Sequence, residues 1–331
     1  MKVGVVGCGS IAIDHIRSWR KVGAQVLGVA VIRKERAEEC ASKYTIPHYF
    51  ISVDDMLDKI ALDIVDVCTP PQAHKEVVLK AIERGVHAFV EKPFVLQYLD
   101  AIEVIEKAKS KGVKIGVTVN YLFTPTMTKA RRLINRGDLG KIKRADILVY
   151  LPEAVLLREE VSWIKSLPGK AFGEVLPHPI YLLQYIIGDL EALSVFSTKI
   201  GRSTWMMCDE LQVLLKGERG LGRIVLSYNA EKFDIYIIVE GERGFLVVNP
   251  LGKIIVKLSN RWGYIDNILS FRSYAFLWLD YIVGHVPRDA LVENIKSFKN
   301  YIERGAPYIF SYEALVNQVK TYEEILSQVK C

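Results

Sequence analysis

Three stretches of this chain carry residues whose types and spacing could do chemistry. In the first, Val86-His87-Ala88-Phe89-Val90 reads as a short buried strand and runs at once into Glu91-Lys92-Pro93-Phe94. A strand that turns charged at its end delivers a carboxylate and an ammonium to its C-terminal edge, where an open α/β sheet binds ligands. Pro93 biases Lys92 toward extended backbone and away from helix, and the Lys92-Pro93 bond is one that can be cis. In the second, Gly7-Cys8-Gly9-Ser10-Ile11-Ala12 follows the strand Val3-Gly4-Val5-Val6 and opens a helix. That is Gly-x-Gly-x-x-Ala in the setting a dinucleotide-binding turn requires. Gly7 permits the tight turn, Gly9 lets the backbone approach a pyrophosphate, and Ala12 lets helix and strand pack closely. The helix start offers free N–H groups to the phosphates. In the third, His178 precedes Pro179. Proline fits the first turn of a helix, which places His178 at a helix N-terminus. The positive dipole end disfavours imidazolium there, while Glu174 favours it. Such a histidine titrates near neutral pH and can move a proton.

The elements that must position these groups alternate through the first half. The helix after the glycines carries Ala12, Ile16, Trp19 and Val22 along one face and stops at Gly23, with His15 expected to face outward. The second strand is Gln25 to Val31. An NAD-binding unit places an acid about 20 residues past the glycines to grip the ribose 2′-hydroxyl. Here Val31 stands near that position, followed by Ile32-Arg33-Lys34, which favours a 2′-phosphate and so NADP over NAD. The next helix packs Ala37, Cys40, Ala41 and Tyr44. Ile64 to Cys68 is a strand that ends in Thr69-Pro70-Pro71, and His74 opens a helix with Val77, Val78, Ala81 and Ile82 inward. After the Lys92 turn comes a helix through Ala101, Ile105 and Ala108 to Gly112. A sixth strand, Lys114 to Val119, ends at Asn120-Tyr121. Strand and helix alternating in this way predict a parallel, doubly wound sheet, with every polar cluster at a strand's C-terminal end.

The second half has a different texture. Thr124-Pro125 caps a helix that ends at Gly137. From Ile142 to about Leu258 the chain reads as strands and turns, with Gly217-Glu218-Arg219-Gly220 and Gly241-Glu242-Arg243-Gly244 as hairpin turns. Leu291, Ile295, Phe298 and Ile302 mark one helix of the tail, and Leu315, Val319, Tyr322, Leu326 and Val329 the other. Segregated strands and helices predict an α+β domain with a largely antiparallel, open sheet. The expected division is a dinucleotide-binding domain over residues 1–122 and a substrate-binding and oligomerisation domain over residues 123–331, with the last helices able to pack back on the first.

A chain of 331 residues suits two domains. The net charge of +6 comes without a Lys/Arg block, which gives no nucleic-acid footprint and suits an anionic cofactor or substrate. The five cysteines, Cys8, Cys40, Cys68, Cys208 and Cys331, are odd in number, far apart and without a CxxC pair. That argues against a disulfide framework or a zinc site and for a reducing cytoplasm. A strand follows Met1-Lys2 directly, leaving no room for a signal peptide. No apolar run reaches the roughly 18 residues of a membrane helix.

The glycine turn, then Cys68-Thr69-Pro70-Pro71 with His74, then Glu91-Lys92-Pro93, in this order and spacing, resembles the glucose-fructose oxidoreductase and inositol dehydrogenase family (Gfo/Idh/MocA) over the whole chain. The resemblance implies that the Thr-Pro and Glu-Lys-Pro turns border the nicotinamide, and that Lys92 touches cofactor and substrate. The cofactor-binding set is then Gly7, Gly9, Ser10, Ile11, Ala12, Ile32, Arg33, Thr69, Pro70, His74, Glu91, Lys92 and Asn120. Relatives follow Asn120-Tyr121 with an arginine where this chain has Leu122-Phe123, and carry an aspartate where it has Glu174, four residues before His178. The implied reaction is hydride transfer between a nicotinamide and a secondary alcohol or ketone of a sugar, polyol or sugar derivative. His178 is general base in oxidation and general acid in reduction, Lys92 orients the hydroxyl and stabilises alkoxide charge, and Glu174 orients His178 or binds substrate. Trp163, Lys170 and Asn120 are further substrate contacts. The assembly implied is a homodimer or homotetramer. Two other readings stand beside it: an enzyme that uses the same residues and holds its nicotinamide tightly for transient oxidation during cleavage or epimerisation, and a non-catalytic NAD(P)-binding sensor or scaffold, which would not need Lys92 and His178 together.

Overall fold

The computed structural model describes residues 1–156, 159–202, 206–257 and 290–330. Its contacts divide the chain into two compact units, Met1–Asn120 with Leu291–Val319, and Tyr121–Ala290 with Lys320–Cys331.

In the first unit the elements run β1 (Lys2–Val6), α1 (Ser10–Lys21), β2 (Gln25–Ala30), α2 (Lys34–Lys43), β3 (His48–Phe50), α3 (Val53–Lys59), β4 (Ile64–Val67), α4 (His74–Glu83), β5 (His87–Val90), α5 (Tyr98–Lys111) and β6 (Ile115–Val117). The strands form one parallel sheet in the order β3-β2-β1-β4-β5-β6. The order turns back between β1 and β4, so the crevice at their C-terminal ends is the switch point where such sheets bind ligands. All four residues of β4 are buried, as a strand covered on both faces must be. The edge strand β3 gave no signal in the sequence, because it is three residues long and His48 and Tyr49 are exposed. A tail helix (Ala290–Arg304, α9) packs Leu291, Ile295 and Phe298 into the same core as Ala12, Ile16 and Trp19. Buried Asn294 accepts the Val119 N–H at 2.7 Å and donates to the Tyr308 hydroxyl at 3.0 Å.

The structure overturns the reading of the cysteines. Cys8, in the turn after β1, and Cys40, on α2, form a disulfide with 6.4 Å between their Cα atoms. Cys208 is disulfide-bonded as well, while Cys68 is a buried free thiol. The second βαβ unit, β2-α2-β3, brings α2 against the turn that carries Cys8, a proximity that spacing along the chain does not show. The cysteine count therefore no longer argues for a reducing compartment. Among the described residues, no helix is long and apolar enough to cross a membrane.

The second unit holds α6 (Pro125–Asn135), β7 (Ile142–Pro152), α7 (Ala171–Val175), α8 (Pro177–Ile187), β8 (Leu190–Thr198), β9 (Glu210–Gly217), β10 (Gly220–Ser227), β11 (Asn229–Gly241), β12 (Phe245–Asn249) and β13 (Lys253–Lys257). Thr124 caps α6 by accepting the Met127 N–H. The seven strands pair in the order β13-β12-β11-β7-β10-β9-β8. Every pair is antiparallel except β7 and β10, and both Gly-Glu-Arg-Gly tetrads close hairpins. Helix α8 packs on β7 and β10. The opposite face leaves Leu193, Phe196, Leu214, Leu221 and Phe245 exposed. The last helix, α10 (Tyr312–Ser327), ends in this unit.

Candidate active site

The glycine turn is built for close approach. Gly7 has φ +101°, and a Cβ there would lie 2.5 Å from the Cys68 carbonyl oxygen, so only glycine fits. Gly9 stands at the N-cap of α1 with open space beside it. No side chain caps α1 and no acid sits in its first turn, so the N–H groups at Ser10, Ile11 and Ala12 keep the polarity that suits a phosphate. Thr69 Oγ1 is buried without a hydrogen-bond partner, a polar atom such a site leaves for a ligand. Beyond β2, Ile32 is 92% exposed and Arg33 is an exposed N-cap of α2. These features fit a dinucleotide, whose pyrophosphate the glycine turn would hold.

The second wall of this crevice is two turns held together. The Lys92-Pro93 peptide is cis. His74, fully buried, sets Nδ1 2.9 Å from the Pro93 carbonyl oxygen and Nε2 2.9 Å from that of Thr69. It thus ties the Thr-Pro turn to the Glu-Lys-Pro turn, and burial pushes its imidazole below the ordinary value. Glu91 is buried, Lys92 half-buried, and the Lys92 N–H donates to Glu91 Oε2 at 3.1 Å. Asn120 opens a short 3-10 turn just after β6, the sheet's last strand.

His15 does not face outward, as the helix pattern suggested. It is 0% exposed, between Asp66 on β4 and Glu91 after β5. Positions 12, 15, 16 and 19 share one helix face, so the spacing held the signal. What hid it was the assumption that a titratable side chain is solvated.

In the second unit His178 lies in the first turn of α8 and is half-buried. Its Nδ1 is 3.1 Å from the Tyr181 hydroxyl, and its ring meets that of Tyr121 edge-on at 4.9 Å. The Tyr181 oxygen also accepts the Tyr121 N–H at 3.3 Å. A tautomer that donates Nδ1–H to Tyr181 makes Nε2 the proton-accepting nitrogen. Burial pushes the Tyr121 phenol up to about 12.

Glu174 sits on α7, which two tyrosines pin: Tyr228 donates to the Ala171 carbonyl at 2.6 Å and Tyr322 to that of Gly173 at 3.1 Å. Burial, then the Glu174 charge, raises both phenols. Neither tyrosine had a local signal, since they reach α7 from β10's far end and from the last helix. Gly173 is required by packing: a Cβ would lie 2.1 Å from the Pro168 carbonyl oxygen. Lys170, exposed and at φ 50°, lines a cavity of about 230 Å³ with Leu167, Phe172, Met206 and Leu326. Trp163 is half-buried in a 3-10 turn, its carbonyl accepting the Ser166 hydroxyl.

A doubly wound sheet with an uncapped glycine turn after β1 and a Glu-Lys-Pro turn after β5, two strands away, defines a dinucleotide-binding class of fold. Residues 1–121 match the oxidoreductase family with an NAD-binding Rossmann fold, and residues 127–247 match the GFO/IDH/MocA C-terminal domain; the chain belongs to this oxidoreductase family. It is 24% identical to the myo-inositol 2-dehydrogenase of Thermotoga maritima over 323 residues, covering 95% of this chain and 91% of that one. Among solved structures, a levoglucosan dehydrogenase in complex with NADH and levoglucosan superposes with a TM-score of 0.84 at 19% identity, covering 99% of this chain and 96% of that one. An Agrobacterium radiobacter oxidoreductase in complex with NAD+, L-tartaric acid and magnesium superposes with a TM-score of 0.83 at 15% identity, covering 99% and 96%. At these identities the structural matches carry the fold.

Proposed function

We propose that the protein is an NAD(P)-dependent dehydrogenase of a secondary alcohol in a sugar, polyol or sugar derivative. The observation that carries this reading is the Glu91-Lys92-Pro93 turn, held by His74 to the Thr69-Pro70 turn, at the sheet edge that the glycine turn shares. The inositol and levoglucosan dehydrogenases among its relatives point to the substrate class. The bound nicotinamide would supply the hydride acceptor or donor. Gly7, Gly9, Ser10, Ile11 and Ala12 hold the pyrophosphate by backbone N–H groups, and Thr69, Pro70, His74, Glu91 and Asn120 border the nicotinamide end. Lys92 donates hydrogen bonds to the reacting oxygen and stabilises negative charge as it develops there. His178 takes the hydroxyl proton in oxidation and returns it in reduction. Glu174 orients this histidine or contacts substrate, with Trp163 and Lys170 as further contacts.

The exposed Arg33, with no acid at Val31 or Ile32, favours NADP over NAD. The apolar outer face of the second sheet favours a homodimer or homotetramer, which light scattering at micromolar concentration would test. The function itself is tested by following NAD(P)H absorbance across a panel of polyols and anhydrosugars that includes myo-inositol and levoglucosan. Cofactor binding without turnover on the panel would sink the dehydrogenase reading.

A further inference from the structure

The turn that carries Lys92 has a support that none of the assigned roles uses. His15 Nδ1 lies 2.9 and 3.0 Å from the two carboxylate oxygens of Asp66, and Nε2 lies 2.8 Å from Glu91 Oε1. Trp19 Nε1 donates to Asp66 Oδ2 at 2.7 Å. The other carboxylate oxygen of Glu91 accepts the Lys92 N–H. A continuous path of hydrogen bonds therefore runs from α1, the helix of the glycine turn, through Asp66 and His15 to the backbone of Lys92. Carboxylate oxygens only accept, so both ring nitrogens of His15 donate and the ring is an imidazolium. Burial pushes this imidazole down, but the charges and hydrogen bonds of Asp66 and Cys68 together outweigh it and hold the group well above its ordinary value. Burial would likewise raise the Glu91 carboxyl, yet His15 and then Lys92 hold it low. The ionisable groups facing the pair are Asp66 and the Cys68 thiol from β4 and its end, Glu91 and Lys92 from the turn after β5, and His74 from α4.

Buried ion pairs seldom stabilise a fold more than apolar packing of the same volume. Here all three charged groups are desolvated, and the network ends on the turn that carries Lys92. We propose that His15 is a positioning residue for Lys92: by fixing Glu91 against Asp66 it sets the turn from which the lysine acts. This rests on the reading of Lys92 as the group that meets the reacting oxygen.

The test uses His15→Gln and Glu91→Gln proteins, each first shown folded and binding cofactor. Reductive methylation of Lys92, quantified by peptide mass spectrometry over a pH series, needs no substrate. Removing the His15 charge leaves two carboxylates less compensated, so the ammonium is favoured and labelling shifts to higher pH. Removing the Glu91 charge shifts it to lower pH. Loss of packing alone would not give shifts of opposite sign. With a substrate from the panel, each variant should lose turnover by up to about 10²-fold, as expected for a displaced catalytic group, while cofactor affinity stays within a few fold. The double variant should be little worse than the worse single one. If His15→Gln fails to fold, Glu91→Gln, which keeps the side chain's size, carries the test alone. A wild-type enzyme inactive on the whole panel counts against the dehydrogenase reading, and the labelling still decides the role of His15. Folded variants with the wild-type Lys92 labelling profile overturn the proposal.

Discussion

In the first unit two histidines are buried and tied at both ring nitrogens: His15 to two carboxylates, His74 to two backbone carbonyls. In the second unit His178 is half-buried at the start of a helix, against a tyrosine hydroxyl and an aromatic ring. The same side chain is used in two ways. A group that must shuttle a proton needs both protonation states within reach near neutral pH. A ring wedged between two buried carboxylates has one state locked, and His74 has its charge disfavoured by burial, which outweighs the two carbonyls that favour it. Partners and burial, not residue type, separate the two that brace a backbone from the one proposed to react.

The largest effects should fall on turnover. Lys92→Ala and His178→Ala should each lower kcat by about 10²–10⁴-fold with cofactor affinity nearly unchanged, and the double variant should add little. The contrast sharpens if His178→Ala also flattens the neutral limb of the pH–rate profile while Lys92→Ala leaves its shape. Identical profiles for the two would break it.

Next in size is the covalent tie beside the glycine turn. Cys40→Ser opens a loop with a sequence separation of 32, which by chain entropy costs about 3–4 kcal/mol. Thermal melts with and without a dithiol reductant should show a lower Tm for reduced wild type and no reductant effect traceable to this bond in the variant. A reduced wild type as stable as the oxidised one would mean that noncovalent contacts alone hold α2 to the turn.

A smaller effect is expected at Arg33. Arg33→Ala should weaken NADP by about tenfold, in line with losing one charge-assisted hydrogen bond, and leave NAD nearly alone. Fluorescence titration with both cofactors checks this, and equal loss for both removes Arg33 as the discriminating group.

The smallest effect is a pH dependence. The folded value of His15 lies above its unfolded one of 6.5. Its charge therefore contributes stability fully below that pH, and the contribution is lost as pH rises through the raised value. The Tm gap between wild type and His15→Gln should be widest on the acid side and close toward alkaline pH. A gap that widens with pH would show that the ring is buried neutral.

Much of this was legible before any coordinates. The alternation of buried runs and amphipathic helices fixes a parallel sheet, and Gly7, which local backbone geometry demands, marks the Gly-x-Gly-x-x-Ala turn together with Gly9 and Ala12. Hairpins at Gly217–Gly220 and Gly241–Gly244 follow from turn chemistry in the same way. What stayed hidden depends on long-range neighbours. His15 meets groups 51 and 76 positions away. Cys40 looked like an ordinary packed residue on its helix, and nothing local says that Cys8 lies over it. Tyr228 and Tyr322 brace α7 from 57 and 149 positions away.

The disulfide also reroutes force. Tension applied between the N-terminal strand and any point beyond α2 enters the bond at Cys8 and leaves at Cys40. The whole of α1 and β2 lies off that line. While the bond is intact these two elements cannot be drawn out by pulling on the chain from outside the loop, so the helix that the glycine turn opens is sheltered from mechanical load.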